Sequence, residues 1–380
     1  MKKATAAGLL AIVASLAQPV LAQINIGVTV SATGPAASLG IPEKNTISLL
    51  PTTMGGQKVN YSVLDDATNP TEANKNAKRL VSEHKVDAII GSTTTPTSLA
   101  AIEVGAESGT PVITMAPIPP QTGDKHTWSF VTPQGIGIMA SALVDVMKSA
   151  GVKSLGFIGF ADAYGEVWLQ AMKAPLATAG ISMNTVERFQ RTDTSVTGQT
   201  LKLVAANPDA VLVVGSGTPA VLPQASLRER GYKGKIYQTH GVANRDFLRV
   251  GGKQVEGAVF PVGPMLLAEE LPDSHPSKRA ALDYVNAYEK VHGKDSRSTF
   301  GAHAWDAALL LGNAVPQALK KAKPGTPEFR KALRDAIETT KELPASHGVF
   351  TMSPSDHNGL DQRARVMVRV EGGNWKLMTP

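Results

Sequence analysis

Short apolar runs alternate with longer amphipathic stretches along most of the chain after residue 23. The runs are rich in valine and isoleucine and favour buried strands, whereas the stretches between them have helical spacing. The predicted strands of the first half are Ile24–Val30, Val59–Leu64, Val86–Gly91 and Pro111–Met115. The predicted helices between them are Ile41–Pro51, Thr71–Glu83 and Ser98–Ser108. This strand–helix–strand order predicts parallel pairing, with helices on both faces of a sheet.

The same order begins again after Gly151, so we expect two similar α/β halves. Here the predicted strands are Lys153–Gly159, Ala210–Gly215 and Lys235–Gln238, and the predicted helices are Glu166–Thr178, Thr197–Ala206 and Pro219–Gly231. The last third predicts three further helices, at Lys278–His292, Phe300–Lys321 and Pro327–Thr340. A β-ribbon is predicted at Gly348–Met352, Val366–Val370 and Trp375–Met378, with a turn at Asn358 and Gly359.

The first 22 residues have the three parts of a secretory signal peptide. Lys2 and Lys3 form a basic head, residues 4–17 are apolar and small, and Pro19 precedes a Val-Leu-Ala end. We predict cleavage after Ala22 and a mature protein in the periplasm. The alternative is an N-terminal membrane anchor, which is disfavoured because a bilayer span needs roughly 20 apolar residues.

Composition excludes several classes of protein. The 380-residue chain has no cysteine, which rules out disulfides, thiol catalysis and a lipid anchor on cysteine. Its net charge of +6 comes from scattered basic residues without interleaved aromatic ones, so no nucleic-acid partner is expected. The length favours two domains.

A glycine-rich loop, residues 34–40, follows the first predicted strand. Such a loop can hold an anion at a helix N-terminus, and Ser38 and Leu39 are its candidate ligand contacts. The loop lacks the Walker A and dinucleotide patterns, so nucleotide binding is not expected. A tight turn without a ligand is the alternative.

Two further loops follow predicted strands of the first half. A run of hydroxyl side chains at 92–98 leads into a helix, and we expect Thr94 and Thr95 to contact a ligand beyond the carboxyl ends of the strands. Helix capping alone explains one or two of these hydroxyls. Ala116, Pro117 and Ile118 follow the next strand and should face the same crevice, although they also fit a stiff proline loop.

The second half offers Tyr164 and His240 at equivalent positions after its strands. Tyr164 is predicted to form a wall and to donate its hydroxyl, or else to be a packing tyrosine. His240 could meet a ligand from the second half, although a lone histidine is more often structural.

No set of residues assembles into a catalytic or metal site. The chain lacks a Gly-x-Ser-x-Gly elbow and a His-Glu-x-x-His pair, and its eight histidines are dispersed. Asp65 and Asp66 are paired carboxylates, but they fit loop caps equally well. We therefore predict a binding protein with no catalytic residue, metal or cofactor.

From Ile24 onward the chain resembles the branched-chain amino-acid-type periplasmic binding proteins of ABC transporters. The matching segments, in order along the chain, are INIGVTVSATGPAASLG, VLDDATNPTEANKNAKRLV, VDAIIGSTTTPTSLA, PVITMAP, FADAYGEVW and GVFTMSPSDHNGLDQRARVMVRVEGGNWK. The resemblance implies an α/β fold of two doubly wound lobes, the type I arrangement, which close on a ligand by a hinge. It implies an N-terminal lobe of residues 24–143 and 263–346, a C-terminal lobe of 144–262 and 347–380, a monomer, and an ABC permease as partner.

The resemblance also carries individual residues over. In amino-acid-binding members a hydroxyl that holds the ligand carboxylate falls on Thr95, a backbone contact falls on Ala116, and a tyrosine falls on Tyr164. A threonine that contacts both ends of an amino acid falls on Ile118, and the acidic partner of the ammonium falls on His240. A further aspartate falls near Gly135.

These departures decide the expected ligand, because an unpaired buried ammonium is costly. We expect a carboxylic acid without an amino group, as in the branch of the family that takes up aromatic acids such as benzoylformate, phenylpyruvate or hydroxycinnamates. Two alternatives remain: a branched-chain amino-acid or amide receptor of the same fold, and an exported α/β enzyme.

Overall fold

The computed structural model describes residues 23–378, and the predicted signal peptide lies outside the described residues. Within this range no helix is long and apolar enough to cross a membrane. Two separate β-sheets, each covered by helices on both faces, form the bulk of the protein.

The first sheet has six strands. In spatial order they are Thr53–Met54, Gln57–Asp65, Ile24–Val30, Ala88–Ile90, Val112–Thr114 and Ser129–Val131. The strands are parallel except for the short edge hairpin. The helices around this sheet are Ala37–Ile47, Pro70–Ser82, Thr95–Ser108, Gly123–Trp128, Lys278–His292, Thr299–Ala318 and Pro327–Glu338.

Burial on both faces explains why the sequence of the central strand, Ile24–Val30, is mostly apolar. Ile24, Ile26, Val28 and Val30 are all 0% exposed and pack against the Thr299–Ala318 and Pro327–Glu338 helices. The helices on the opposite face pack through a separate cluster that includes Leu80. A parallel sheet covered on both faces requires such strands.

The second sheet has seven strands. In spatial order they are Asn374–Leu377, Val366–Glu371, Val259–Val262, Lys235–Gln238, Ala210–Val214, Ser154–Phe160 and Ser182–Phe189. Five strands are parallel, and the C-terminal ribbon adds two antiparallel ones. The α-helices that follow or flank these strands are Ile136–Ser149, Ala163–Ala179, Thr197–Ala206, Val221–Glu229 and Arg245–Gly251. Short 3-10 turns occupy Thr218–Ala220, His240–Val242, Gly252–Val255, Pro264–Glu270 and Gln362–Ala364.

The predicted bounds of the two lobes stay a prediction, and the packing favours two changes to them. The Ile136–Ser149 helix packs into the core of the second sheet, which favours a crossing before residue 136 and not at 143. Phe350, Met352 and Ala364 belong to the core of the first sheet, which favours a last crossing just before Val366 over the predicted one at 346.

The predicted C-terminal ribbon needs two corrections. Val349–Phe350 does not join it, because this strand pairs with Leu343–Pro344 in a two-stranded sheet of its own. The turn of the ribbon lies at Gly372 and Gly373, both with positive φ (59° and 72°), and not at the predicted Asn358 and Gly359. A two-residue hairpin loop with positive φ at both positions favours glycine.

Candidate functional site

A small cavity lies where the carboxyl ends of strands from both sheets meet. Its free volume is about 20 Å³, room for about one water molecule and far below the ~300–1,000 Å³ of ligand pockets, so a ligand could enter only if the two lobes moved apart. The first lobe lines it with Leu39, Thr93, Thr94, Thr95, Met115, Ala116, Pro117, Phe300 and His303. The second lobe lines it with Tyr164, Arg191, Ser216, His240 and Gly241. Ligands of open α/β sheets bind at such strand ends.

Seven of the nine predicted contacts line this cavity: Leu39, Thr94, Thr95, Ala116, Pro117, Tyr164 and His240. Their role as ligand contacts stays a prediction. Ser38 lies beside the cavity, with its Oγ buried and without a hydrogen-bond partner among the described residues. It meets the second lobe at Gly217, where a Cβ atom would lie 2.6 Å from the Ser38 Oγ.

Ile118 lies elsewhere, in a larger and mainly apolar groove between the lobes. Its neighbours there include Pro119, Ile136 and Val167. Gly135, where the resemblance places an aspartate in related receptors, lines the same groove. Ala116 and Pro117 thus line the small cavity, whereas the next residue, Ile118, does not.

The hydroxyl run around Thr94 forms the N-terminus of the Thr95–Ser108 helix. Thr94 caps this helix by accepting the Thr97 N–H at 3.4 Å, and the Thr97 Oγ1 accepts the Thr94 N–H at 3.1 Å. The Thr95 hydroxyl donates to the Pro117 carbonyl at 2.7 Å. The first-turn amides of a helix have no partner inside it, and its N-terminus carries partial positive charge. The backbone N–H of Thr95 can thus receive an anion, whereas its hydroxyl already has an acceptor.

Arg191 brings a positive charge to the cavity from the second lobe. Its side chain is 13% exposed, and its Nε donates to the Asp162 Oδ2 at 2.7 Å. Its Nη1 donates to the Ser216 Oγ at 2.9 Å, and its guanidinium lies 4.1 Å above the Phe160 ring. These contacts fix the guanidinium and leave Nη2 without a hydrogen bond to another described residue. Sequence reasoning missed Arg191, whose only signal is its place just after the Ser182–Phe189 strand.

Two uncharged histidines face each other across the cavity. Burial, together with the proximity of His347, lowers the pKa of His240 to about 3. Burial likewise holds the pKa of His303 well below its ordinary value. The Nδ1 atom of each ring has no hydrogen-bond partner in the described part of the chain. Neutral imidazoles can donate at one nitrogen and accept at the other, so both rings can bind polar groups of a ligand.

A buried polar group behind His303 holds its ring in place. Sequence reasoning did not predict His303 as a site residue. Its ring stacks on that of His347 at 4.0 Å. His347 in turn contacts the Asp306 carboxylate at 3.1 Å and the Thr299 hydroxyl at 2.8 Å. This group sits on the Thr299–Ala318 helix and in the loop just before the Val349–Phe350 strand.

Tyr164 forms a wall of the cavity but its hydroxyl proton is already used. The Thr239 hydroxyl donates to the Gly215 carbonyl at 3.0 Å, so the Tyr164 hydroxyl must donate to the Thr239 Oγ1 at 2.8 Å. Burial raises the pKa of Tyr164 to about 12, and the phenol stays neutral. Tyr164 therefore offers a ligand a lone pair and not the donor that the sequence predicted.

The remaining walls are largely apolar, and Leu39, Met115 and Phe300 supply much of them. Among the described residues that line the cavity there is one arginine and no aspartate or glutamate. Asp162 balances the Arg191 charge from outside the lining, while the lining itself offers donors to an anion and no carboxylate to an ammonium group.

Comparison with known proteins gives a family and several relatives. A sequence profile of the family described as periplasmic binding protein matches residues 23–374. An extracellular ligand-binding receptor from Rhodopseudomonas palustris HaA2 is 46% identical, with a TM-score of 0.92, covering 94% of this chain and 100% of that one. The Leu/Ile/Val-binding protein BraC3 of Rhizobium johnstonii is 24% identical over 350 residues, 90% of each chain. A solute-binding protein from R. palustris, solved with benzoate, is 19% identical, with a TM-score of 0.79, covering 94% of this chain and 95% of that one. The last likeness concerns the fold alone.

Proposed function

Since this chain belongs to the periplasmic binding protein family, we propose that it captures a small carboxylic acid without an amino group, aromatic in character. Proteins of this family bind small molecules and deliver them to ABC permeases. The acid would bind between the lobes and hold them closed, and the closed form would be the one that a permease recognises.

One observation carries the proposal: the cavity pairs Arg191 with a helix N-terminus and has no acidic side chain among its described lining. A carboxylate placed there would accept from the Arg191 Nη2 and from the Thr95 N–H, one donor from each lobe. Each hydrogen bond to the charged group contributes about 1.5–3 kcal/mol. An α-ammonium in the same place would meet a guanidinium and two neutral imidazoles, with no carboxylate among the described residues of the lining.

The aromatic character rests on the other walls. Leu39, Met115 and Phe300 suit an apolar body, and aromatic rings prefer offset or edge contacts with a side chain such as Phe300. The imidazoles of His240 and His303 could pair with a keto or hydroxyl oxygen next to the carboxylate. The benzoate bound by a protein of the same fold is consistent with this ligand class.

A branched-chain amino acid is the second candidate, because relatives at 24–26% identity are named Leu/Ile/Val-binding proteins. The lone pair of Tyr164 and the accepting nitrogen of each imidazole are the groups that could receive an ammonium. None of them is charged, which is why we rank this candidate second.

A thermal-shift screen separates the two candidates. The purified protein would be heated with phenylpyruvate, benzoylformate, benzoate, 4-hydroxycinnamate, leucine and isoleucine. Because a ligand that binds only the folded state stabilises it, the aromatic acids should raise the melting temperature and the amino acids should not. A large shift with leucine and none with the acids would reject the proposal. Chromatography of the ligand after incubation tests the enzyme alternative, since a receptor returns it unchanged.

A further inference from the structure

A buried carboxyl group lies directly behind the wall of the cavity. Glu43, on the Ala37–Ile47 helix, is 0% exposed, and its Oε2 contacts the Oγ1 of Thr93, a lining residue. Its Oε1 has no hydrogen-bond partner among the described residues. Asp66 is the charged group that faces it, and Tyr284 packs on the same helix through Thr46.

The surroundings favour the uncharged form of Glu43. Burial raises its pKa well above the ordinary value, and the Asp66 charge adds to that effect. Asp66 is better placed to stay ionised, because it accepts from three hydroxyls, of Ser31, Ser92 and Thr29, at 2.5–3.0 Å, and from the Thr68 N–H at 3.1 Å. Of the two carboxyl groups, Glu43 is therefore the one that holds a proton.

The state of Glu43 decides where the Thr93 hydroxyl proton points. The Thr93 Oγ1 already accepts the Ser31 N–H at 2.8 Å. An ionised Glu43 would take the Thr93 proton, and Thr93 would keep one lone pair but no donor for a ligand. A protonated Glu43 donates to the Thr93 Oγ1, which then has both lone pairs occupied and must direct its own proton elsewhere.

We propose that Glu43 is a positioning residue: as a neutral carboxylic acid it turns the Thr93 hydroxyl into a donor for the ligand carboxylate. This inference rests on the proposed function and deepens it. It adds a third donor to those of Arg191 and the Thr95 N–H. A site whose hydroxyl can only donate also rejects an ammonium, which has no acceptor there.

Infrared spectroscopy and calorimetry together test this. Wild-type protein at pH 7 should show the C=O stretch of a buried carboxylic acid, and Glu43→Gln should lack it. Titrated with phenylpyruvate, Thr93→Val should bind about tenfold to a hundredfold more weakly, because a hydrogen bond to a charged group is lost. Thr93→Ser, which restores the hydroxyl, should recover most of the affinity that Thr93→Val loses, and Glu43→Gln, which keeps a donor towards Thr93, should bind more tightly than Thr93→Val. Thr46→Val is the matched control: it removes a buried hydroxyl from the same helix, outside the cavity lining.

The outcomes are distinguishable. A missing C=O band, or a Thr93→Val affinity equal to that of Thr46→Val, would overturn the inference, provided that thermal unfolding shows each variant to be folded. If the band is present but no acid of the screen binds, the proposed function fails and the role of Thr93 with it. The protonated state of Glu43 would stand in that case.

Discussion

Replacing Arg191 by glutamine tests the contact proposed for the ligand carboxylate. The guanidinium is held by the Asp162 carboxylate, by the Ser216 hydroxyl and by the Phe160 ring, so its position is fixed before a ligand arrives. Glutamine is shorter, carries no charge and cannot hold Asp162 and a ligand at the same time. The substitution therefore removes a fixed positive charge from the second-lobe side of the cavity.

The expected loss follows from the kind of bond that is broken. A hydrogen bond to a charged group is worth about 1.5–3 kcal/mol, which corresponds to a 10- to 150-fold rise in Kd for an aromatic acid. The stability of the protein should also fall, because Asp162, 19% exposed, loses its ionic partner. The two effects are separable, since Kd is measured on folded protein at 25 °C and stability by thermal unfolding.

Arg188→Gln is the matched control for this experiment. Arg188 lies on the neighbouring Ser182–Phe189 strand and pairs with Glu166, but both side chains are about half exposed (44% and 45%) and outside the cavity. Isothermal titration of both variants with phenylpyruvate should give a weakened Arg191→Gln and an unchanged Arg188→Gln. Equal affinities for wild type and Arg191→Gln would refute the assignment of Arg191 to the carboxylate.

Three further predictions address other parts of the site. His240→Asp should weaken binding of an aromatic acid at least tenfold in calorimetry, because it introduces a negative charge beside the ligand; an unchanged affinity would remove His240 from the site. Ile118→Thr should leave the affinity within twofold, because Ile118 lines the outer groove, and a clear change would place it in the ligand cavity instead. The free energy of unfolding should fall below pH 6.5. Burial depresses the folded-state pKa of His240 to about 3, so its contribution is complete above the unfolded pKa of 6.5 and is lost as the pH falls towards 3. At pH 5 this effect lowers the free energy of unfolding by about 2 kcal/mol. In urea unfolding, wild type should therefore lose more stability on acidification to pH 5 than His240→Asn does. Equal pH dependence of the two proteins would contradict this assignment.

Sequence reasoning located best the elements that are buried on both faces or bounded by strong signals. The strands Ile24–Val30 and Lys235–Gln238 and the helix Lys278–His292 have the predicted bounds. The Ser182–Phe189 strand was missed because it is an edge strand whose alternate residues are exposed and polar. The Ile136–Ser149 helix was missed because it begins at Gly135 without a side-chain cap.

Some residues of the candidate site could likewise be located from the sequence, and others could not. Thr94, Thr95, Ala116, Pro117 and His240 were found because they follow predicted strands, and the carboxyl ends of parallel strands meet at one edge of a sheet. Arg191 and His303 could not be predicted from their position after a predicted strand. One lies in a loop after a missed edge strand, and the other lies inside a helix that only tertiary packing brings to the cavity.

The most direct test of the central claim compares two ligands that differ at a single carbon. Phenylpyruvate and phenylalanine share the ring and the carboxylate, but one carries a keto oxygen and the other an ammonium. Isothermal titration of the protein should show binding of phenylpyruvate and none, or at least a hundredfold weaker binding, of phenylalanine, because the ammonium finds no carboxylate in the cavity lining. Tighter binding of phenylalanine than of phenylpyruvate would contradict the account.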